Sequence, residues 1–137
     1  MEVAASTVID RPPSVVFQFV AIEHLQNHPR WDEGITLEPL FEGPIQLGSR
    51  LRRISTRTGT AIEGTMEVVE FEPDRSFRML IHDGPVEMRG HILLEPEGDR
   101  STKLTMTVEI PGAPNPLDPL PAQTSVDRMK QFIEAEH

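Results

Sequence analysis

The sequence predicts an α+β domain: a curved seven-stranded antiparallel sheet with two small helices after its first strand and one helix at its end. Three observations predict it. Two prolines join the first strand to a helix, turn signals then recur at regular intervals, and an apolar stripe of helical period closes the chain. A chain of 137 residues matches one domain, so we expect a single domain over residues 1–137.

The first strand is predicted over residues 2–10, and the helices follow at Pro12 and Pro13. Proline is tolerated in the first turn of a helix, because its missing N–H would have no partner there. Val16, Phe19 and Val20 then share one helical face.

Turn-forming residues divide the middle of the chain into successive hairpins, with signals at 58–59, 73–74, 83–85 and 97–99. The remaining strands are predicted at 35–43, 47–57, 60–72, 75–83, 86–96 and 101–110. Apolar residues alternate with polar ones along these strands, so that one face of the sheet is dry. The alternation changes phase between Val68 and Val69, which predicts a β-bulge that bends the sheet.

The last helix is predicted over residues 124–136, with Thr124 in a capping-box-like start. Val126, Met129 and Ile133 form its apolar stripe, and we expect it to lie across the concave side of the sheet. The five prolines of residues 111–121 predict an extended connector before it.

This order of elements, with the Pro12-Pro13 to Phe17 segment and the Trp31-Asp32 pair, resembles the START/Bet v 1-like (SRPBCC) superfamily. Within it, the chain is similar to the polyketide cyclase/dehydrase and lipid-transport group. The resemblance covers the whole chain and includes no catalytic motif. It implies the helix-grip fold, in which the sheet closes around a helix and leaves an apolar cavity for a ligand.

Composition limits the partners. A net charge of -9 argues against nucleic acid, whose binding needs a basic surface. No segment has the length and apolarity for membrane insertion, there is no signal-peptide pattern, and cysteine is absent, so we expect a cytoplasmic protein. We expect a small hydrophobic molecule as the partner and no cofactor; a homodimer stays open.

Four methionines on successive strands are the first ligand-binding candidates: Met66, Met79, Met88 and Met106. Flexible thioethers suit the wall of a pocket for an irregular apolar ligand, but methionine is also an ordinary core residue. Trp31, Phe77 and Ile81 complete the expected ligand-binding set. Trp31 either forms a half-buried pocket rim or packs the helices against the sheet.

Asp32 and Arg53 are weak catalytic candidates. Asp32 either orients a ligand hydroxyl or acts as a base, or it is a solvated turn residue. Arg53 alternates with Leu51 and either points inward as a polar anchor or extends its head to solvent. Its neighbours Arg50, Arg52 and Arg57 are typical of a charged edge strand.

His24 and His28 have the spacing of one helical face, and Asp32 could complete a set of three metal ligands. Pro29 disfavours helical geometry at His28, however, so we expect surface histidines and no metal. The strand phase places His82 and His91 on the outer face, together with Glu63, Glu67, Glu87 and Glu109.

The leading functional hypothesis is therefore binding of a small hydrophobic or polycyclic ligand in a cavity between the sheet and the last helix. A second is an enzyme like the aromatase/cyclase relatives, which requires an inward carboxylate or histidine. A third is a protein-binding module like the co-chaperone and assembly-factor relatives, which requires a filled interior and an exposed apolar patch. Whether the protein is an enzyme stays open at this point.

Overall fold

The structure is a computed structural model and describes residues 1–56, 59–113 and 117–137. Its elements follow in chain order: β1 (Glu2–Ile9), α1 (Pro13–Phe17), a π-helical segment (Gln18–Ile22), α2 (His24–Trp31), β2 (Ile35–Pro39), β3 (Arg50–Ser55), β4 (Ile62–Glu72), β5 (Ser76–Asp83), β6 (Val86–Glu97), β7 (Ser101–Glu109) and α3 (Leu120–Glu136). In this part of the chain the strands form one antiparallel sheet in the order β1, β7, β6, β5, β4, β3, β2. The predicted α+β class and the seven strands are confirmed.

The predicted bulge lies in β4. The register between β4 and β5 shifts between Val68 and Glu70, which leaves Val69 unpaired and exposed. Beyond the shift, Phe71 packs on the rings of Phe17 and Phe77, at 5.3 Å and 6.1 Å between ring centroids. The extra residue therefore bends the sheet toward the helices that pack on its concave face.

The helices after β1 continue further than the sequence predicts. The π-helical segment is recognised by the amide of Glu23, which donates to the carbonyl of Gln18 at 2.9 Å, five residues back. The α2 helix then runs through Pro29 to Trp31, so the expectation that Pro29 removes helical geometry at His28 is wrong. Pro29 costs α2 one backbone hydrogen bond, and the burial of His24, His28 and Trp31 offsets that loss.

The α3 helix begins at Leu120, four residues before the predicted start at Thr124. Pro119 and Pro121 occupy its cap and first turn, where proline is compatible with a helix, so the last prolines of the connector begin α3. Its 17 residues span about 25 Å. Val126, Met129 and Ile133 are fully buried as predicted, and α3 packs on β1 and β7.

Several predicted boundaries change. The second strand ends at Pro39 and the third begins at Arg50, so both are shorter than predicted. Three parts of the prediction lie outside the described residues: Arg57 of the third predicted strand, Thr58 of the first predicted turn, and residues 114–116 of the proline connector.

Candidate functional site

A cavity of about 590 Å³ lies between the concave face of the sheet and the helices α2 and α3. Its floor comes from β5, β6 and β7, its sides from α2 and the first turns of α3. Leu120 lines it and is 65% exposed, so the cavity opens toward solvent at the start of α3.

The floor of the cavity is apolar and carries three of the four predicted methionines. Met79, Met88 and Met106 line it together with Ile81, which is also in the predicted set. Gly90 lies among them on β6, and a Cβ atom there would meet Met79 Cε at 3.7 Å and Ile81 Cδ1 at 3.9 Å, which is ordinary contact. The missing side chain of Gly90 therefore leaves part of the cavity open.

Two of the predicted ligand-binding residues do not line the cavity. Met66 is fully buried under Arg53, whose Nη1 lies 3.9 Å from the Met66 sulfur. Phe77 is also fully buried and packs on Phe71 and on the ring of His24 at 5.1 Å. Both belong to the core that supports the cavity, which is the other interpretation that the sequence left open for the methionines.

Arg53 points inward and is 2% exposed, so the alternative of a head extended to bulk solvent is wrong. Its Nε donates to Asp83 Oδ1 at 2.8 Å. Asp83 reaches this position from the end of β5, opposite Gly64 of β4. A Cβ at Gly64 would lie 1.7 Å from the carbonyl oxygen of His82, so the close approach of the strands requires glycine there.

The Arg53 guanidinium lies at the edge of the cavity. Arg53 is among the lining residues, and its Nε and Nη1 contact Asp83 and Met66. Within the described residues no fully buried side-chain nitrogen or oxygen lacks a partner, and no bond to Nη2 is found there. Arg53 thus presents a fixed hydrogen-bond donor to whatever occupies the cavity.

His24 and His28 form a hydrogen-bonded pair inside the protein. His24 Nδ1 lies 2.8 Å from the carbonyl oxygen of Val20, and His24 Nε2 lies 2.9 Å from His28 Nδ1. Both side chains are buried and both line the cavity. Burial lowers the pKa of His24 well below its ordinary value, and the neighbouring His28 and Arg53 lower it further, which favours the neutral ring.

The pair extends to Asp32 and is held in place by Trp31. His28 Nε2 lies 3.4 Å from Asp32 Oδ2, and Asp32 also lines the cavity. The Trp31 ring stacks on the His28 ring at 5.3 Å and meets the His24 ring edge-on at 5.5 Å. Trp31 is 3% exposed and lines the cavity, so it combines both roles that the sequence left open.

The prediction of surface histidines is therefore wrong for His24 and His28. Their spacing of four was the correct signal, and Pro29 was given too much weight against it. Asp83 was interpreted as part of a turn, although the strand phase of Phe77, Met79 and Ile81 places it on the inner face. The structure thus brings two histidines and two carboxylates to an interior that seemed to lack them.

His24, His28 and Asp32 are not arranged as a metal site in the part of the chain that the structure describes. Within residues 1–56, 59–113 and 117–137, no group of three histidine, aspartate or glutamate side chains is arranged to hold a metal ion. The facing nitrogens of His24 and His28 hydrogen-bond to each other, which leaves them unavailable as ligands to a common metal ion.

The fold and this site agree with a family match. Residues 1–136 match the family model described as polyketide cyclase / dehydrase and lipid transport. The chain therefore belongs to this family, and the predicted resemblance is confirmed. A search of curated proteins finds no match.

Solved structures of the same fold include plant and biosynthetic proteins. Norcoclaurine synthase from Thalictrum flavum, solved with a transition-state analogue, shares 12% identity over 98% of this chain and 94% of its own, with a TM-score of 0.75. The ginseng major latex-like protein 151 from Panax ginseng shares 14% over 100% and 97%, with a TM-score of 0.71. The di-domain ARO/CYC BexL from the BE-7585A biosynthetic pathway shares 19% over 98% of this chain and 46% of its own, with a TM-score of 0.73. At these identities the similarity shows the Bet v 1-like fold.

No helix in the described part of the chain has the length and apolarity to cross a lipid bilayer.

Proposed function

We propose that the protein binds a small, largely apolar molecule that carries one hydrogen-bond acceptor, such as a carbonyl oxygen. The observation that carries this proposal is the cavity itself, with thioether and aliphatic side chains on its floor and the Arg53 guanidinium at its edge. The apolar body of the ligand would contact Met79, Met88 and Met106, while its acceptor receives a hydrogen bond from Arg53 Nη2.

The size of the cavity supports a ligand of a few rings. Burial of about 200 Å² of apolar ligand surface would contribute roughly 5 kcal/mol before the cost of association. Apolar contact of this kind discriminates poorly between ligands of similar size. The buried donor of Arg53 would therefore supply much of the specificity, because a ligand without an acceptor leaves it unpaired.

The first experiment identifies what the protein carries. The purified protein is denatured and any released small molecule is analysed by mass spectrometry, for the wild type and for Gly90→Leu, whose side chain would enter the cavity. We expect a stoichiometric apolar compound with the wild type and its loss with Gly90→Leu. As a matched control, Arg89→Gln changes the residue just before Gly90 in β6, whose side chain is exposed on the convex face.

Where no compound co-purifies, the ketone 2-tetralone serves as a probe, and its binding is followed by Trp31 fluorescence. We expect saturable binding to the wild type and Arg89→Gln, and binding at least tenfold weaker to Gly90→Leu. Equal binding by all three proteins, or none by the wild type, would contradict a ligand site in this cavity.

The cavity bears differently on the two other hypotheses, an enzyme and a protein-binding module. An enzyme like the cyclase relatives needs inward acid–base groups, and His28 and Asp32 supply them, so this alternative stays a proposal. A protein-binding module predicts a filled interior, which the cavity does not fit. Two statements stay predictions from the sequence, namely the single domain and the cytoplasmic location. The question of a homodimer stays open.

A further inference from the structure

Solvent reaches the methionines of this chain by two different routes. Met1 is on the surface and is 47% exposed. Met79 and Met88 are only 6% and 9% exposed and Met106 is half-buried, but all three line the cavity, and we call them the floor methionines. Because the cavity opens to solvent beside Leu120, a molecule of the size of water that enters it meets their side chains.

The other two methionines are sealed in the core and give a contrast within the same protein. Met66 is 0% exposed, and its sulfur lies 3.9 Å from Arg53 Nη1. Met129 is also 0% exposed and belongs to the apolar stripe with which α3 packs on the sheet. In the described part of the chain, neither of them lines the cavity. The fold thus separates methionines that a small molecule can reach from methionines that it cannot.

The thioether of Met79 borders unfilled space. A Cβ atom at Gly90 would lie 3.7 Å from Met79 Cε, and the missing side chain of Gly90 leaves that side of the thioether open. Met88 points to the same face of β6, two residues before Gly90, and Met106 pairs with Ile92 on the other side of it. Cysteine is absent from the sequence, so a thioether is the side chain that an oxidant attacks most readily here.

We propose that the floor methionines are a modification site, at which hydrogen peroxide or a small organic hydroperoxide oxidises them to sulfoxides and thereby weakens binding of the apolar ligand. The effect on binding rests on the proposed function, whereas the order in which the methionines are oxidised does not. A sulfoxide is polar where the thioether was apolar, so the floor loses the surface that the ligand contacts. The occupancy of the cavity would then depend on the supply of hydroperoxide.

The proposed step is the transfer of one oxygen atom. A lone pair of the methionine sulfur forms an S–O bond with the terminal oxygen of the hydroperoxide, and the O–O bond breaks. The proton of the terminal oxygen moves to the departing oxygen. The sulfur is oxidised by two electrons to a sulfoxide, and the hydroperoxide is reduced to water or to an alcohol, so atoms and electrons balance with the hydroperoxide as the co-reactant.

The surroundings of the floor explain why oxidation should weaken binding. The side chains of Ile81 and Ile92 border the floor methionines and cannot donate a hydrogen bond to a sulfoxide oxygen. In the empty cavity, water can hydrate that oxygen. An apolar ligand would displace this water and leave the oxygen without a donor, which costs free energy.

The site is tested first by the order of oxidation in the protein without ligand. The wild type is treated with hydrogen peroxide, and the sulfoxide at each methionine is quantified by peptide mass spectrometry. We expect the floor methionines to react at least about tenfold faster than Met66 and Met129, with Met1 as the reference for an exposed thioether. Equal rates at the floor and in the core would overturn the inference. Saturating 2-tetralone should slow the floor methionines and leave Met1 unchanged.

The effect on binding is measured by equilibrium dialysis of 2-tetralone with untreated and oxidised protein. The oxidised wild type should bind at least about tenfold more weakly, while its circular dichroism stays that of the folded protein. The triple variant Met79→Leu, Met88→Leu, Met106→Leu has no floor thioether, so its affinity after treatment should equal its own affinity before. The matched control Met129→Leu removes a core thioether and should lose affinity on treatment as the wild type does.

The outcomes separate the two proposals. Equal binding of 2-tetralone before and after oxidation of the floor methionines would overturn this inference and keep the ligand site. A loss of binding that the triple variant shares, or that accompanies unfolding, would overturn it as well. Absence of binding by the untreated wild type would overturn the ligand site itself, and the effect of oxidation on binding with it.

Discussion

Arg52 and Arg53 are neighbours on β3 and lie on opposite faces of the sheet. Arg52 is on the convex face, where its Nε donates to Glu63 at 2.8 Å and its Nη1 to Glu38 at 3.1 Å. Arg53 is on the concave face, where its Nε donates to Asp83, also at 2.8 Å. The two arginines contact their carboxylates at the same distance, but their surroundings differ. Arg53 is 2% exposed, whereas Arg52 is in contact with water.

The comparison shows that the number of ion pairs is a poor measure of the stability of this fold. Water and salt screen the convex pairs, so each adds little to stability. A concave charge has lost its hydration and depends on its one partner. The few polar groups of the interior should therefore dominate both the stability and the chemistry of the protein.

The largest effect is expected from removing the partner of Arg53. Asp83→Ala would leave a buried guanidinium without its carboxylate, which should lower the free energy of unfolding by about 3 to 5 kcal/mol. Urea denaturation at neutral pH measures it.

A double variant sharpens this test. Arg53→Met with Asp83→Leu removes both charges and should recover most of the lost stability, since no unpaired charge remains. If Asp83→Ala costs less than about 1 kcal/mol, water in the cavity solvates Arg53 and the contrast between the two faces is smaller than proposed.

An intermediate effect is expected from His24 as the pH falls. Its pKa in the folded protein is lowered by burial, whereas the unfolded chain takes up the proton near pH 6.5. The stability from a neutral His24 is thus fully present above pH 6.5 and is lost below it, down to the folded pKa, by at most about 1.4 kcal/mol per pH unit. Urea denaturation at pH 7.5 and pH 5.5 (roughly one unit to either side) measures the loss.

The comparison variants for this test are His24→Phe and the exposed His82→Gln. His24→Phe should lose part of the pH dependence, while His82→Gln should keep all of it. Identical slopes for the wild type and His24→Phe would show that His24 is not held neutral by burial.

The smallest effect is expected on the convex face. Glu63→Gln removes a carboxylate that pairs with Arg52, and the bond to Arg52 lowers the pKa of Glu63 in the wild type. Because Glu63 is exposed and Arg52 is only half-buried, we expect no resolvable change in the urea midpoint at 0.15 M salt (roughly physiological). A loss approaching that of Asp83→Ala would break the comparison.

The sequence was sufficient for the fold because hydrophobic alternation and turn chemistry are local signals. The bulge at Val69 and the stripe of Val126, Met129 and Ile133 were both predicted from periodicity alone. The start of α3 was wrong by four residues, because prolines that usually end a helix lie here in its first turn.

The candidate site was harder to predict, because the position and burial of its polar groups depend on partners that are distant in sequence. Asp83 pairs with Arg53, which is 30 residues away in the chain, and the sequence around either residue does not indicate that the other lies nearby. His24 and His28 showed a helical spacing, but only the packing of Trp31 and Phe77 around them reveals that they are buried. Met66 and Phe77 have the correct strand phase and still miss the cavity, since the phase gives the face of the sheet and not the position along it.

The π-helical segment Gln18–Ile22 places one surplus residue in the chain immediately before α2. In a regular helix each residue turns the following ones by about 100°, so loss of that residue would rotate His24, His28 and Asp32 together away from their present direction. Deletion of one residue there would keep all three of these side chains but turn them away from the cavity that they line. The number of residues before α2, and not only their identity, therefore determines which way these side chains face.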